Sequence, residues 1–143
     1  MSFDIKMKAG DISIKNGQVE KVEFTEKLVQ DILKMALTDV GSNVMVPWYG
    51  SMVSKTLIGS TLDHEIVVQI AESQIQNCIE NIKKLQQMQI SSGQNMSAEE
   101  QISAIIDVSV ERSATDQRRY DVFISVLTKS LTKVTTKFTV SPF

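Results

Sequence analysis

A single cysteine, Cys78, gives this chain no means of closing an intramolecular disulfide, so no oxidising compartment is implied. A surplus of one charge is missing too. Fifteen Lys and Arg stand against seventeen Asp and Glu, a formal net charge of −2. That balance argues against a nucleic-acid binder working through a strong basic field, and the Arg118–Arg119 pair is too short to count as a basic tract. No apolar run approaches the roughly 20 residues needed to span a bilayer, and Met1–Lys6 has neither the basic end nor the apolar stretch of a secretion signal. The expectation is a soluble protein made in the cytoplasm, with no nucleic acid and no membrane as partner. Its 143 residues would leave marginal cores if divided, so 1–143 is expected to be one domain.

Catalytic parts are equally scarce. His64 is the only histidine and falls in the first turn of an expected long helix, without a Ser, Cys or carboxylate constellation pointing to it. Asp63-His64-Glu65 diverge around a helix axis, a poor spacing for a shared metal ion. Cys78 sits on an apolar stripe and is expected to be a small buried hydrophobe. Glu99, Glu100 and Glu111 are expected at the surface, away from the apolar context a catalytic acid needs. Gly41, Gly50 and Gly59 fit no phosphate-cradling pattern. No cofactor, metal or enzymatic activity is expected.

What is present is patterning. Asp11–Lys15 and Gln18–Phe24 flank Asn16-Gly17, a hairpin signal because both turn residues accept positive φ. A two-residue turn sets Ile14 opposite Val19 but leaves Ile12 opposite Lys21, so a bulge near Glu20–Lys21, or a poorly formed hairpin, is expected. No internal repeat is expected. Thr25 looks like the cap of a helix over Glu26–Thr38, with Gly41 as its stop. A longer helix should run from Thr61 or Leu62 to about Met88, carrying Val67, Ala71, Ile75, Cys78, Ile82 and Leu85 as its stripe, widened early by Ile66, Val68 and Ile70. After the polar loop Ser91–Ser97 the period becomes two. Ile106, Val108 and Val110, then Val122, Ile124 and Val126, then Val134, Thr136, Phe138 and Val140 alternate with polar residues. The predicted fold is α+β, an antiparallel sheet with two main helices on one face.

The stretch Leu37–Ser60 joins the two helices and holds the only Trp, one of two Pro, one of two Tyr and three of six Gly. Pro47 fixes φ, Gly50 permits a turn closed to other residues, and Trp48 and Tyr49 offer broad area with a polar tip. Trp48 fits a docking surface and a plug for the end of the core equally well. The order Leu37-Thr38, Gly41, Val46-Pro47-Trp48-Tyr49-Gly50, then Leu57-Ile58-Gly59 into a long helix, resembles the signature of a known family. That family comprises small baseplate proteins of contractile phage tails, historically labelled tail lysozyme, with a relative in the type VI secretion baseplate. Gln30-Asp31-Ile32, Gly10-Asp11-Ile12 and the alternating final strands extend the resemblance over roughly 10–140.

The resemblance implies a structural subunit of a virion tail baseplate, a wedge assembled in the host cytoplasm. Its partners would be other baseplate subunits and tail sheath or tube proteins in a hetero-oligomeric assembly. Pro47, Trp48, Tyr49 and Gly50 are its interface candidates. Many family members also carry Glu-Pro-Arg where the chain enters the sheet, a triplet implicated in docking to neighbouring components. Glu100-Gln101-Ile102 occupies that place here, so the acid stands without its Pro and Arg. The contact would then rest on Glu100 or pass to another group such as Arg112. A peptidoglycan hydrolase and a soluble regulatory adaptor on the same fold are the competing functions.

Overall fold

Three short N-terminal stretches exchange strand partners halfway along. The computed structural model describes residues 3–58 and 61–141, so Gly59 of the quoted signature lies outside the described residues. Strand β1 (Asp4–Ile5) pairs with β6 (Lys21–Val22), β2 (Met7–Lys8) with β3 (Asp11–Ile12), and β4 (Ile14–Lys15) with β5 (Gln18–Val19), all antiparallel. Ile14 lies opposite Val19, as the Asn-Gly turn predicts, but no bulge realigns Ile12 with Val22. Ile12 pairs instead with Met7, and Val22 with Asp4. At the crossing points the Lys6 N–H donates to the Glu20 carbonyl, the Ser13 N–H to Lys6 and the Glu20 N–H to Ser13, each at 2.9 Å. The three stretches thus meet in a closed triangle of backbone bonds.

The cause is a seven-residue repeat, where none was expected. Asp4-Ile5, Asp11-Ile12 and Gln18-Val19 recur at this interval, as do Lys8 and Lys15, and Gly10 and Gly17. Ala9-Gly10 and Asn16-Gly17 both have positive φ (53° and 84°, 52° and 75°), the requirement of a two-residue turn that matches strand twist. Phe24 stands at the glycine position of the third repeat and keeps the left-handed backbone, with φ 56°. There the chain turns into a helix instead of another strand.

Helix α1 (Phe24–Leu37) therefore starts before the expected Thr25 cap, with Glu23 as its cap residue and no side-chain capping bond. It ends because Thr38 is extended (φ −87°, ψ 130°), three residues short of Gly41. Leu28, Ile32, Met35 and Ala36 are buried at helical spacing. A short helix α2 (Val53–Leu57), not expected from the pattern, fills the crossover with buried Val53 and Leu57. Helix α3 (His64–Ser91) begins two or three residues later and ends about three later than its pattern implied. Its predicted stripe is buried or partly buried, joined by Ile79 and Gln86. Ile66 corrects the expectation: it precedes Val67 by about 100° of helix and stays in water.

Strands β7 (Ile102–Arg112), β8 (Tyr120–Thr128) and β9 (Lys133–Val140) form an antiparallel sheet in that order. In β8, Val122, Ile124 and Val126 face inward, and in β9, Val134, Thr136, Phe138 and Val140 do, as their alternation predicts. In β7, register shifts between Ile102 and Ala104 and between Ile105 and Asp107 change which residues face the core. Ile106, expected inside, is consequently exposed. Residues of α1, α2 and α3 share one core with the inner face of this sheet. The fold is α+β, as expected.

Candidate functional site

The crossover between α1 and α3 is built on one glycine. Gly50 is buried with φ 114°, and a Cβ there would lie 2.6 Å from the Thr38 carbonyl oxygen and 2.8 Å from the Val40 nitrogen. Only glycine lets the returning chain pass this close to the end of α1. The next residue fastens it. The Ser51 N–H donates to Thr38 (2.8 Å), the Val40 N–H to the Ser51 carbonyl (3.3 Å), and the buried Ser51 hydroxyl to the Ala36 carbonyl (2.6 Å). The two bonds that Ser51 donates satisfy the Ala36 and Thr38 carbonyls, which the end of a helix otherwise leaves open.

Beyond this clasp the loop is shaped by its own polar groups. The Asn43 side-chain oxygen accepts the N–H groups of Met45 (3.0 Å) and Val46 (3.2 Å), and the Ser42 hydroxyl donates to Asp39 (2.6 Å). A turn over Val46–Tyr49 is closed by the Tyr49 N–H on the Val46 carbonyl at 3.0 Å, with Pro47 at the second position, where its fixed φ fits. Pro47 is exposed. Trp48 and Tyr49 are half-buried and pack against the core, so Trp48 does plug its end. Its ring also carries the Lys84 ammonium 4.8 Å from its centre. Burial raises the Tyr49 hydroxyl above its ordinary pKa, outweighing the opposing charge of Lys34. The tip is apolar and bare: Val44 and Met45 are each 88% exposed.

Glu100 is not at the surface as expected; it is 1% exposed. A turn joins Ser97 to Glu100, with the Ser97 N–H on the Glu100 carboxylate (2.9 Å) and the Glu100 N–H on the Ser97 carbonyl (3.2 Å). Gln86, a residue the pattern passed over, completes the junction. Its amide donates to the Glu100 carbonyl (2.7 Å) and accepts the Ile102 N–H (3.0 Å), tying α3 to the start of β7.

Arg112 lies at the other end of β7, roughly 33 Å from Ile102 at strand rise. It is exposed, 5.6 Å from the Tyr120 ring centre and 3.3 Å from the Tyr120 hydroxyl, to which it donates. His64 stacks on the same ring at 5.9 Å. The structure therefore separates Arg112 from Glu100. Glu111 is also at that far end, while Glu99 is exposed beside Glu100, so these carboxylates do not converge. Cys78 is buried, and burial pushes its thiol up to about 12. Among the described residues no group of three His, Cys, Asp or Glu is placed to hold a metal ion, and no helix is long and apolar enough to cross a membrane.

No family model matches the chain, and no curated protein matches it either. Among solved structures it is similar to a protein from Geobacter sulfurreducens provisionally named a tail lysozyme, with a TM-score of 0.58 and 14% identity. The match covers 81% of this chain and 88% of that one. The chain has a tail-lysozyme-like fold.

Proposed function

We propose that the protein is a structural subunit of the baseplate of a contractile phage tail or a related injection machine. It joins neighbouring baseplate components and supports assembly of the tail sheath. The observation that carries this reading is the crossover. A clasp at Gly50 and Ser51 holds a loop whose Pro47, Val44 and Met45 face solvent, within a fold shared with a protein named a tail lysozyme. A loop fixed at its base loses little entropy on docking, which favours tight contact over a small area. Its partners are other baseplate subunits and sheath or tube proteins, and its place is the tail baseplate.

The role is binding, not bond cleavage. A glycosidase needs two carboxyl groups about 5–10 Å apart across a bond, whereas Glu100 is tied to Ser97 and Glu111 lies at the opposite end of β7.

The test is composition of particles purified from producing cells. The protein is expected in stoichiometric amount with tail proteins, and a variant with Val44→Ser and Met45→Ser is expected to leave the particle while remaining folded. A full-length protein found only outside particles, or one that releases fragments from purified cell wall, would overturn this reading.

A further inference from the structure

The N-terminal triangle is built inside out. Side chains two apart on a strand share a face, which puts Phe3, Ile5 and Met7, then Ile12 and Ile14, then Val19 and Lys21 on one side of the module. Met7 lies opposite Ile12, Ile14 opposite Val19, and Ile5 opposite Lys21. The six apolar residues of this face are between 44% and 66% exposed. The junction residues Lys6, Ser13 and Glu20 point the other way and are only half-exposed, with the Ser13 hydroxyl bonded to the Glu20 carboxylate. Met7 and Phe3, at the margins of the face, border grooves against α1, and the module is held to the body by buried Val22 and by polar groups. Gln30 donates to the Asp4 carboxylate (2.9 Å) and the Ile5 carbonyl (2.7 Å) and accepts the Met7 N–H (2.9 Å), and Lys34 pairs with Asp4. The polar side is thus the fastened one, and the contiguous apolar face is left in water, the arrangement that marks an interaction surface.

From this we infer that the outer face of the module docks an amphipathic helix of a neighbouring polypeptide, one with an acidic residue beside its apolar stripe. Two observations choose that occupant. Each ladder is only two residues long, so no edge can take an added strand, and recognition must come from side chains meeting a face. A helix supplies a matching stripe of apolar groups at i, i+3, i+4 and i+7. The second observation is Lys21, which shares the face with half-buried, extended Glu23 two residues on. Its ammonium lies 4.2 Å from the Phe3 ring centre, and among the described residues it has no ion pair with a carboxylate. A carboxylate on the docked helix neutralises that charge.

This inference is independent of the crossover and of the tail reading. It is tested by placing the photoreactive residue p-benzoylphenylalanine at Ile14 in the full chain, in cells that naturally make the protein, and sequencing the crosslinked peptide. The expected product is a segment of another protein with apolar residues at helical spacing and an adjacent Asp or Glu. The yield should fall about tenfold with Lys21→Glu, the cost of setting like charges together, and return when that partner acid is changed to Lys. Crosslinks to a second copy of this chain or to lipid, no crosslink, or a yield indifferent to Lys21→Glu would each overturn it. A partner meeting these criteria that is not a tail protein would count against the proposed function and leave this surface standing.

Discussion

Gly50 lies so close to Thr38 that one added methyl group would come within 2.6 Å of the Thr38 carbonyl oxygen. Gly41 provides the contrast in the same loop, with φ 86° but open space where its Cβ would go. Gly41→Ala is expected to cost about 1 kcal/mol, the left-handed strain alone. Gly50→Ala adds a collision with backbone and is expected to cost about 3 kcal/mol or more. Urea unfolding of the two variants compares them directly, and equal costs would mean that the clasp yields.

At the other end of α3, Gln86→Leu keeps the volume but strands the Ile102 N–H and the Glu100 carbonyl. The expected loss is about 2–4 kcal/mol, since each buried group forfeits its partner without regaining water. Exposed Gln87→Leu is the control and should change stability by no more than about 0.5 kcal/mol. Chemical denaturation checks both.

Attachment of the N-terminal module should depend on pH at both extremes. Burial pushes the Asp4 carboxyl up, but hydrogen bonds from Lys34, the Ile5 N–H and Gln30 win and hold it below its ordinary 3.8. This contribution is present above that value and disappears as pH falls through the lower, folded value. Burial likewise pulls Lys34 down, yet Asp4 and Asp31 leave it above 10.5. Its contribution is complete below 10.5 and disappears as pH rises through the raised value. Methyl resonances of Ile5 and Met7 should keep native positions between these limits and move outside them. Asp4→Asn should abolish the acid limb.

Val44 and Met45 touch solvent almost everywhere, so replacing both with Ser should leave thermal stability within about 0.5 kcal/mol of the parent. Trp48→Ala differs because the ring also packs on the core, and about 2 kcal/mol of stability should go with it. Calorimetry on the two variants separates a surface that only docks from one that also supports the fold.

Period and spacing made the α+β fold, the stripe of α3 and the inward faces of β8 and β9 legible, because each is fixed by neighbours a few residues away. Ile106 faces solvent because a register shift in β7 reverses its side, and alternation alone does not mark where such a shift falls. Asn16-Gly17 by itself signals one hairpin, and the triangle is legible only in the seven-residue interval that separates Gly10 from Gly17. Charge alone argues for Glu100 outside, and the Ser97 N–H that holds its carboxylate becomes visible only in the coordinates. At the crossover, Pro47, Trp48 and Gly50 stood out by composition. The clasp itself needed coordinates, since Ser51 reaches fifteen residues back to Ala36.

Closure of the Lys6–Ser13–Glu20 triangle makes segment length a stricter condition than residue identity. Each stretch gives one bond and takes one, so inserting or deleting a single residue between two corners rotates a donor away and opens the whole ring. Natural variation here should therefore alter letters freely while conserving the count, and any tolerated change in size should arrive at the Ala9-Gly10 or Asn16-Gly17 bends.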